Sequence, residues 1–314
     1  MTVLLLAILA SPAVAAQEAP ADDLIEAVER VSPKQNPLDP GGRSEKKKPV
    51  KTTSIDGDTK IVAAVSPATG ETLELTLPDT TSVADSSSDG SLVVRSKRQT
   101  NRFAVQSFDH GTRVASIIMD RTSPVSMYDL GDGRALAPTA DGGAIVHNRA
   151  GEPIGQLSPP WARDALGRDL PTKYTFSGSQ ITQIVDLTGR NIHFPVVADP
   201  YIGVDLIASA SWAQSTDGWR LEVTPTQWAR ANAYSTMSYM IGVIGWDELF
   251  SKYRNAGLNT NLNGMRDQYI CHQVFVGVRY PNKPTWNLDE WRPDVGWWET
   301  VSTQCNPGGD RWFD

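Results

Sequence analysis

The sequence predicts an α+β protein: an all-β middle domain of sandwich-like antiparallel sheets, followed by a small α+β domain closed by one disulfide. Three observations lead there. Between Ser54 and Pro200, short stretches of period-two alternation are divided by X-Gly turns. Beyond residue 200 the composition shifts, with nine of the ten tryptophans in that part and only Trp161 before it. Both cysteines, Cys271 and Cys305, also fall there.

The chain has 314 residues, which suggests two domains plus tails. At the N-terminus an apolar run, Val3 to Ala10, is followed by Ser11-Pro12 and the small-residue stretch Ala13-Val14-Ala15. This reads as an export signal over residues 1–16. It is well short of the ~20 apolar residues that span a bilayer, so the expectation is a mature chain without a transmembrane segment, secreted or associated with the cell envelope. Residues 17–53 read as a disordered tether with room for one short amphipathic helix. Leu24, Ile25, Val28 and Val31 stand at helical spacing within it, and a Pro- and Lys-rich stretch follows. Residues 54–200 form the β domain and 201–314 the Trp-rich domain.

The β domain is read from alternation in Lys60 to Val65, Thr72 to Leu77, Phe103 to Phe108, Arg113 to Met119 and Ile181 to Leu187. The turns include Asp56-Gly57, Asp89-Gly90, Asp132-Gly133 and Asp141-Gly142. Without a fixed repeat length there is no case for a propeller or β-helix. In the Trp-rich domain a strand pair is expected at Val204 to Trp212 and Trp219 to Val223. A helix start is expected at Thr224-Pro225-Thr226-Gln227, with proline in the first helical position. Gly242 and Gly245 should bend or end that helix, and Trp246 to Tyr253 should form a second one, closed by Gly257.

Lys and Arg total 29 against 36 Asp and Glu, a formal net charge of -7, and the charges are spread rather than blocked. A nucleic-acid surface needs clustered cations, so none is expected. Two cysteines in an exported chain imply one disulfide, whose loop closure is worth roughly 3 to 4 kcal/mol in the chain-entropy view. A Cys271-His272 nucleophile pair is the alternative, but neighbours on a strand point to opposite faces.

Two resemblances add to this. Pro160-Trp161-Ala162, Asp164-Ala165, Leu170-Pro171-Thr172, Tyr174 and Pro195-Val196-Val197-Ala198-Asp199-Pro200 resemble a module of secreted proteins from Gram-positive, mainly high-GC bacteria. That resemblance implies export and a carrier or folding role. Cys271-His272, Lys283-Pro284-x-Trp286-Asn287-Leu288-Asp289, Trp291-Arg292-Pro293 and Cys305-Asn306-Pro307-Gly308 resemble an uncharacterised bacterial domain-of-unknown-function family at the C-termini of exported proteins. It implies an exported disulfide domain with no assigned reaction.

Candidate chemistry follows from residue types. His272, with Asp267 or Glu248 as orienting carboxylate, would be the minimum for general-base work, and a pair among Glu248, Asp289 and Glu290 would be the minimum for cleaving glycosidic bonds. For binding, Trp286, Trp291, Trp297 and Trp298 supply ring faces, two expected inside and two partly exposed. Asn287, Asp289 and Arg292 supply polar groups beside them. The chain has no HExxH, GxSxG or Walker A signature, and His110, His147 and His193 are scattered over the β half. No cofactor or metal is expected. These features favour a non-enzymatic module that binds an envelope polysaccharide or a protein. The competing readings are an exported antibacterial effector and a cell-wall or glycan hydrolase.

Overall fold

The computed structural model describes residues 19–33, 47–55, 58–80 and 85–309. The expected export signal and much of the Pro- and Lys-rich tether lie outside the described residues. Antiparallel sheets with a few helices make up the fold.

One six-stranded sheet runs, in spatial order, Thr52–Ile55, Asp58–Val65, Thr72–Leu77, Val125–Asp129, Gln180–Val185 and Thr172–Ser177. Alternation sends Ile61, Leu73, Leu75, Leu77 and Ile181 to one side, where they are fully buried. A ten-stranded sheet centres on Arg102–Ser107, Gly111–Ile118 and Tyr201–Gly203. Its Val105, Val114, Val146, Ile154 and Ile202 join the same core as the first sheet's apolar side chains.

Every residue of Gly111–Ile118 is buried, which an exposed two-sided strand could not achieve. Successive side chains point to opposite faces, and both faces are covered. Val114 faces the first sheet, while Ala115 and Ile117 meet helix α1, Ala21–Val31. The stripe Leu24, Ile25, Val28 and Val31 that marked this helix in the sequence is the face it buries. Polar ties hold its two ends. The Ser88 amide and hydroxyl donate to Asp22 at 2.8 and 2.9 Å, and Arg163 donates to the Val31 carbonyl at 2.8 Å.

Three side chains from the 102–177 stretch converge on Asp199. Its Oδ2 accepts from Trp161 Nε1 at 3.0 Å and from Arg113 Nε at 3.1 Å, and its carbonyl accepts from the Tyr174 hydroxyl at 2.7 Å. Burial raises the Asp199 carboxyl above its usual value in spite of Arg113.

After Gly203 a three-stranded sheet forms from Ile207–Gln214, Trp219–Pro225 and Trp286–Asp289. The helices are α2 (Gln227–Asn232), α3 (Ser238–Tyr253) and α4 (Leu262–Cys271). A π turn, His272–Val276, carries α4 into α5 (Gly277–Arg279), and α6 is Trp297–Ser302. Three local expectations differ from what forms. The cap of α2 is Thr226, whose hydroxyl accepts from the Ala229 amide at 3.1 Å, while Pro225 ends the preceding strand. Residues 233–237 interrupt the helix expected to run on from there. Gly242 and Gly245 do not break α3. They lie where α4 packs, and a Cβ at Gly245 would run into the Tyr269 ring while one at Gly242 would sit 3.2 Å from Ile270. Here glycine serves close helix approach.

Glu248 of α3 ties this part to the chain that enters it. Its carboxylate accepts from the Leu206 amide at 2.8 Å and the Ile207 amide at 3.2 Å, and Lys252 donates to it at 2.7 Å. No helix among the described residues is long and apolar enough to cross a membrane.

Replacing Val28, fully buried under α1, with aspartate places a charge against the ten-stranded sheet. Val28→Asp should cost roughly 3 kcal/mol in urea unfolding, and limited proteolysis should cut residues 19–33 faster than in the parent chain. Unchanged stability and cleavage would show that the helix does not hold to the sheet.

Candidate binding site

The Trp-rich part is built around a buried carboxylate. Asp289, at the end of Trp286–Asp289, accepts from Arg220 Nε at 2.7 Å and from Arg292 Nε at 2.6 Å. Arg292 reaches on to the Pro307 carbonyl at 3.1 Å and lies over the Trp291 ring, 4.4 Å from its centre. Gln268 of α4 closes the network from the helix side. Its amide donates to the Asp289 carbonyl at 3.0 Å and accepts from the Asp289 amide at 2.8 Å. Burial alone would raise the Asp289 carboxyl, but the two guanidinium partners outweigh it and hold it below the usual aspartate range.

The disulfide Cys271–Cys305 forms, with Cα atoms 5.5 Å apart. It pins the turn after α6 to the point where α4 passes into the π turn. Gln304 and Cys305 take left-handed backbone angles, φ 56° and 68°, so the chain reverses there and faces the helix again. A π turn widens a helix by one residue, and such insertions recur at functional sites. Between the π turn, α5 and the 301–306 turn lies a groove of about 1190 Å³.

His272 lies at the head of that groove, almost wholly buried. Its Nδ1 is 2.7 Å from the Gln268 carbonyl. A carbonyl only accepts, so Nδ1 carries the proton and Nε2 holds the lone pair. Burial, reinforced by the charge of Lys283, lowers the imidazole to about 4.

The two carboxylates considered beside it point elsewhere. Glu248 is buried on the Leu206 and Ile207 amides and Lys252. Asp267 sits five residues before His272, outside the three- or four-residue spacing that stacks helical side chains. It lies 3.7 Å from Arg266, and burial and Asp294 raise its carboxyl. The charges that bear on His272 are those of Lys283, Asp289 and Arg292. Among the described residues no group of three or more His, Cys, Asp or Glu is placed to hold a metal.

The residues considered for binding separate by depth. Trp286 is fully buried with its ring against Tyr269, centres 5.5 Å apart. Asn287 accepts from the Thr285 hydroxyl at 2.9 Å. Asp289 and Arg292 are buried and engaged with each other, and Trp291 is half-buried over the pair. Trp297 is half-buried between Tyr239 and Phe275, ring centres 5.2 and 6.5 Å away. Trp298 stands 82% exposed. Sequence reasoning did not pick out Tyr239, Phe275 or Arg279, and it named Lys283 only within the family motif. For Phe275 the signal is the apolar run Val274-Phe275-Val276-Gly277-Val278, since on a helix part of such a run must face outward.

Residues 207–308 match the model of a family described as "Protein of unknown function (DUF2599)". An uncharacterized protein of Mycobacterium bovis and one of Mycobacterium tuberculosis are each 35% identical over 103 residues, which is 33% of this chain and 66% of the relative. No solved structure gives a significant match.

Two titrations check this geometry. Asp289→Asn leaves Arg220 and Arg292 without their buried counter-charge and should cost about 3 kcal/mol at pH 7. Because the Asp289 pKa is lower in the folded than in the unfolded chain, its contribution is present above the ordinary value of 3.8 and fades as pH falls through the lower folded value. The stability gap between the parent and Asp289→Asn should therefore narrow below about pH 4 in thermal melts. In a proton-NMR titration His272 should keep its neutral-imidazole shifts from pH 8 down to about 5, whereas an ordinary histidine is half-titrated near 6.5.

Proposed function

We propose that the domain at residues 207–308, which belongs to a family without an assigned activity, is a non-enzymatic binding module of an exported protein. In this reading the described chain is a sandwich-like β carrier followed by an α+β unit that makes the contact. The observation that carries it is an aromatic surface: Phe275 at 46% and Tyr239 at 45% exposure around the half-buried Trp297, with Trp298, 82% exposed, the next residue of α6. Large rings left in water at one place mark a contact surface. Indole and phenyl faces suit the C–H faces of sugars, and their rigidity keeps the entropy cost of contact low. An envelope polysaccharide is the ligand this surface fits.

Hydrolysis fits the geometry less well. Among the described residues no carboxylate orients His272, whose Nδ1 bonds the Gln268 carbonyl, and an imidazole with a pKa near 4 is a weak base. Glu248 and Asp289 are both buried in structural contacts.

Trp298→Ala and Trp297→Ala, made in the full chain, should each lower retention on purified cell wall at least tenfold, the scale expected of a central aromatic contact. Leu166→Ser, at an exposed position of the β part, should leave retention unchanged. Equal retention of all four proteins would remove the aromatic surface from the reading.

A further inference from the structure

Next to the aromatic surface, and sharing Phe275 with it, the groove along the disulfide has a chemistry of its own. Val274, Val278 and Val301 contribute apolar wall, and the cystine lies at its base. Its charged side chains are Arg279 and Lys283, with no aspartate or glutamate among the lining residues. Arg279 lies over the Tyr280 ring at 5.7 Å. Among the described residues neither cation has a carboxylate within ion-pair distance. The acid nearest in effect to Lys283 is Asp289, which Arg220 and Arg292 already hold. Lys283 is partly withdrawn from water and unneutralised, which lowers its pKa and leaves it in want of an anion.

The backbone of the walls offers an incoming chain little. One wall is helical, so its amides are bonded internally. In the other, the amides of Thr303, Gln304, Cys305 and Asn306 donate to Glu299, Val301, Thr300 and Thr303 carbonyls at 2.8 to 3.1 Å. Among the described residues the groove has no strand edge, and an extended peptide lying in it would find few partners for its own backbone. An alkyl chain needs none.

We infer that this groove is a binding site for a free long-chain carboxylate, its alkyl chain along the valine wall and the cystine and its head group on Lys283 and Arg279. The inference deepens the binding reading and rests on it, since it gives the same face a second, amphiphilic contact. His272, uncharged at neutral pH, leaves these two side chains as the cations of the site.

The test is calorimetric titration of the full oxidised chain with palmitate below its micelle concentration. Parallel arms use hexadecanol, an acidic apolar peptide and vesicles of anionic phospholipid. Saturable one-to-one palmitate binding is expected, at least tenfold tighter than hexadecanol. Lys283→Gln with Arg279→Gln should erase that advantage while leaving hexadecanol binding unchanged. Val301→Asp should weaken both lipids. Circular dichroism and wall retention through Trp298 report whether each variant is folded.

Absence of palmitate binding, or affinity indifferent to Lys283 and Arg279 in folded variants, overturns the inference. So does preference for the peptide or for intact vesicles over the free acid. Wall retention that depends on Trp298 without palmitate binding sinks the groove assignment alone. Palmitate binding with retention indifferent to Trp297 and Trp298 upholds the groove and sinks the aromatic-surface reading.

Discussion

The C-terminal part of this protein depends on a single carboxylate held between two guanidinium groups. Asp289 is nearly inaccessible to water, and a charge so placed is tolerated only when its oxygens are fully engaged. Arg220 comes from the middle strand of the three-stranded sheet and Arg292 from the turn beyond the edge strand. Gln268 adds α4 by reading the backbone of the same residue on both its donor and acceptor sides. Sheet, helix and C-terminal turn thus meet at one point: a shift of the sheet or the turn leaves a buried charge unpaired, and a shift of α4 leaves backbone groups of Asp289 without their partner. This fixes the position of α4 and hence of the π turn that follows it.

The disulfide works on the other end of the same assembly. It closes a separation of 34 residues that contains the edge strand, the Trp291–Arg292 turn and α6. The ion pairs set where the strand lies against α4. The cross-link sets where the returning chain lies against the end of that helix. Both fixings anchor the groove walls, and a ligand site anchored in this way would be largely formed before its ligand arrives, which would reduce the ordering cost of binding.

Much of the β half could be read from period-two alternation and X-Gly turns, because those signals are local. The amphipathic stripe of α1 was legible as one short helix from four apolar side chains at helical spacing, but within a stretch read as a disordered tether. What the sequence could not show was that the helix covers the outer face of the strand Gly111–Ile118, a contact between residues about ninety positions apart. In the Trp-rich half the cystine followed from counting. The helical state of residues 262–279 did not, because Val274 to Val278 reads as well for a strand as for a buried helix. Taking Cys271 and His272 as strand neighbours put them on opposite faces. On the helix both border the same groove.

The candidate polar residues show why residue type alone misleads about a site. Trp286, Asp289 and Arg292 have the chemistry of ligand contacts, and the fold uses that chemistry inside itself. The interior of this domain is largely aliphatic, with Trp228, Trp246 and Trp286 set into it, and beside an indole a guanidinium stacked on the ring face is accepted more readily than an isolated ammonium. Arg292 over Trp291 is such a case. Lys283, whose compact charge has no such accommodation among the described residues, is left at the groove instead. Arg279, stacked on the Tyr280 ring, lines the groove beside it, so the positive charge this domain does not pair internally stands where a ligand can reach it.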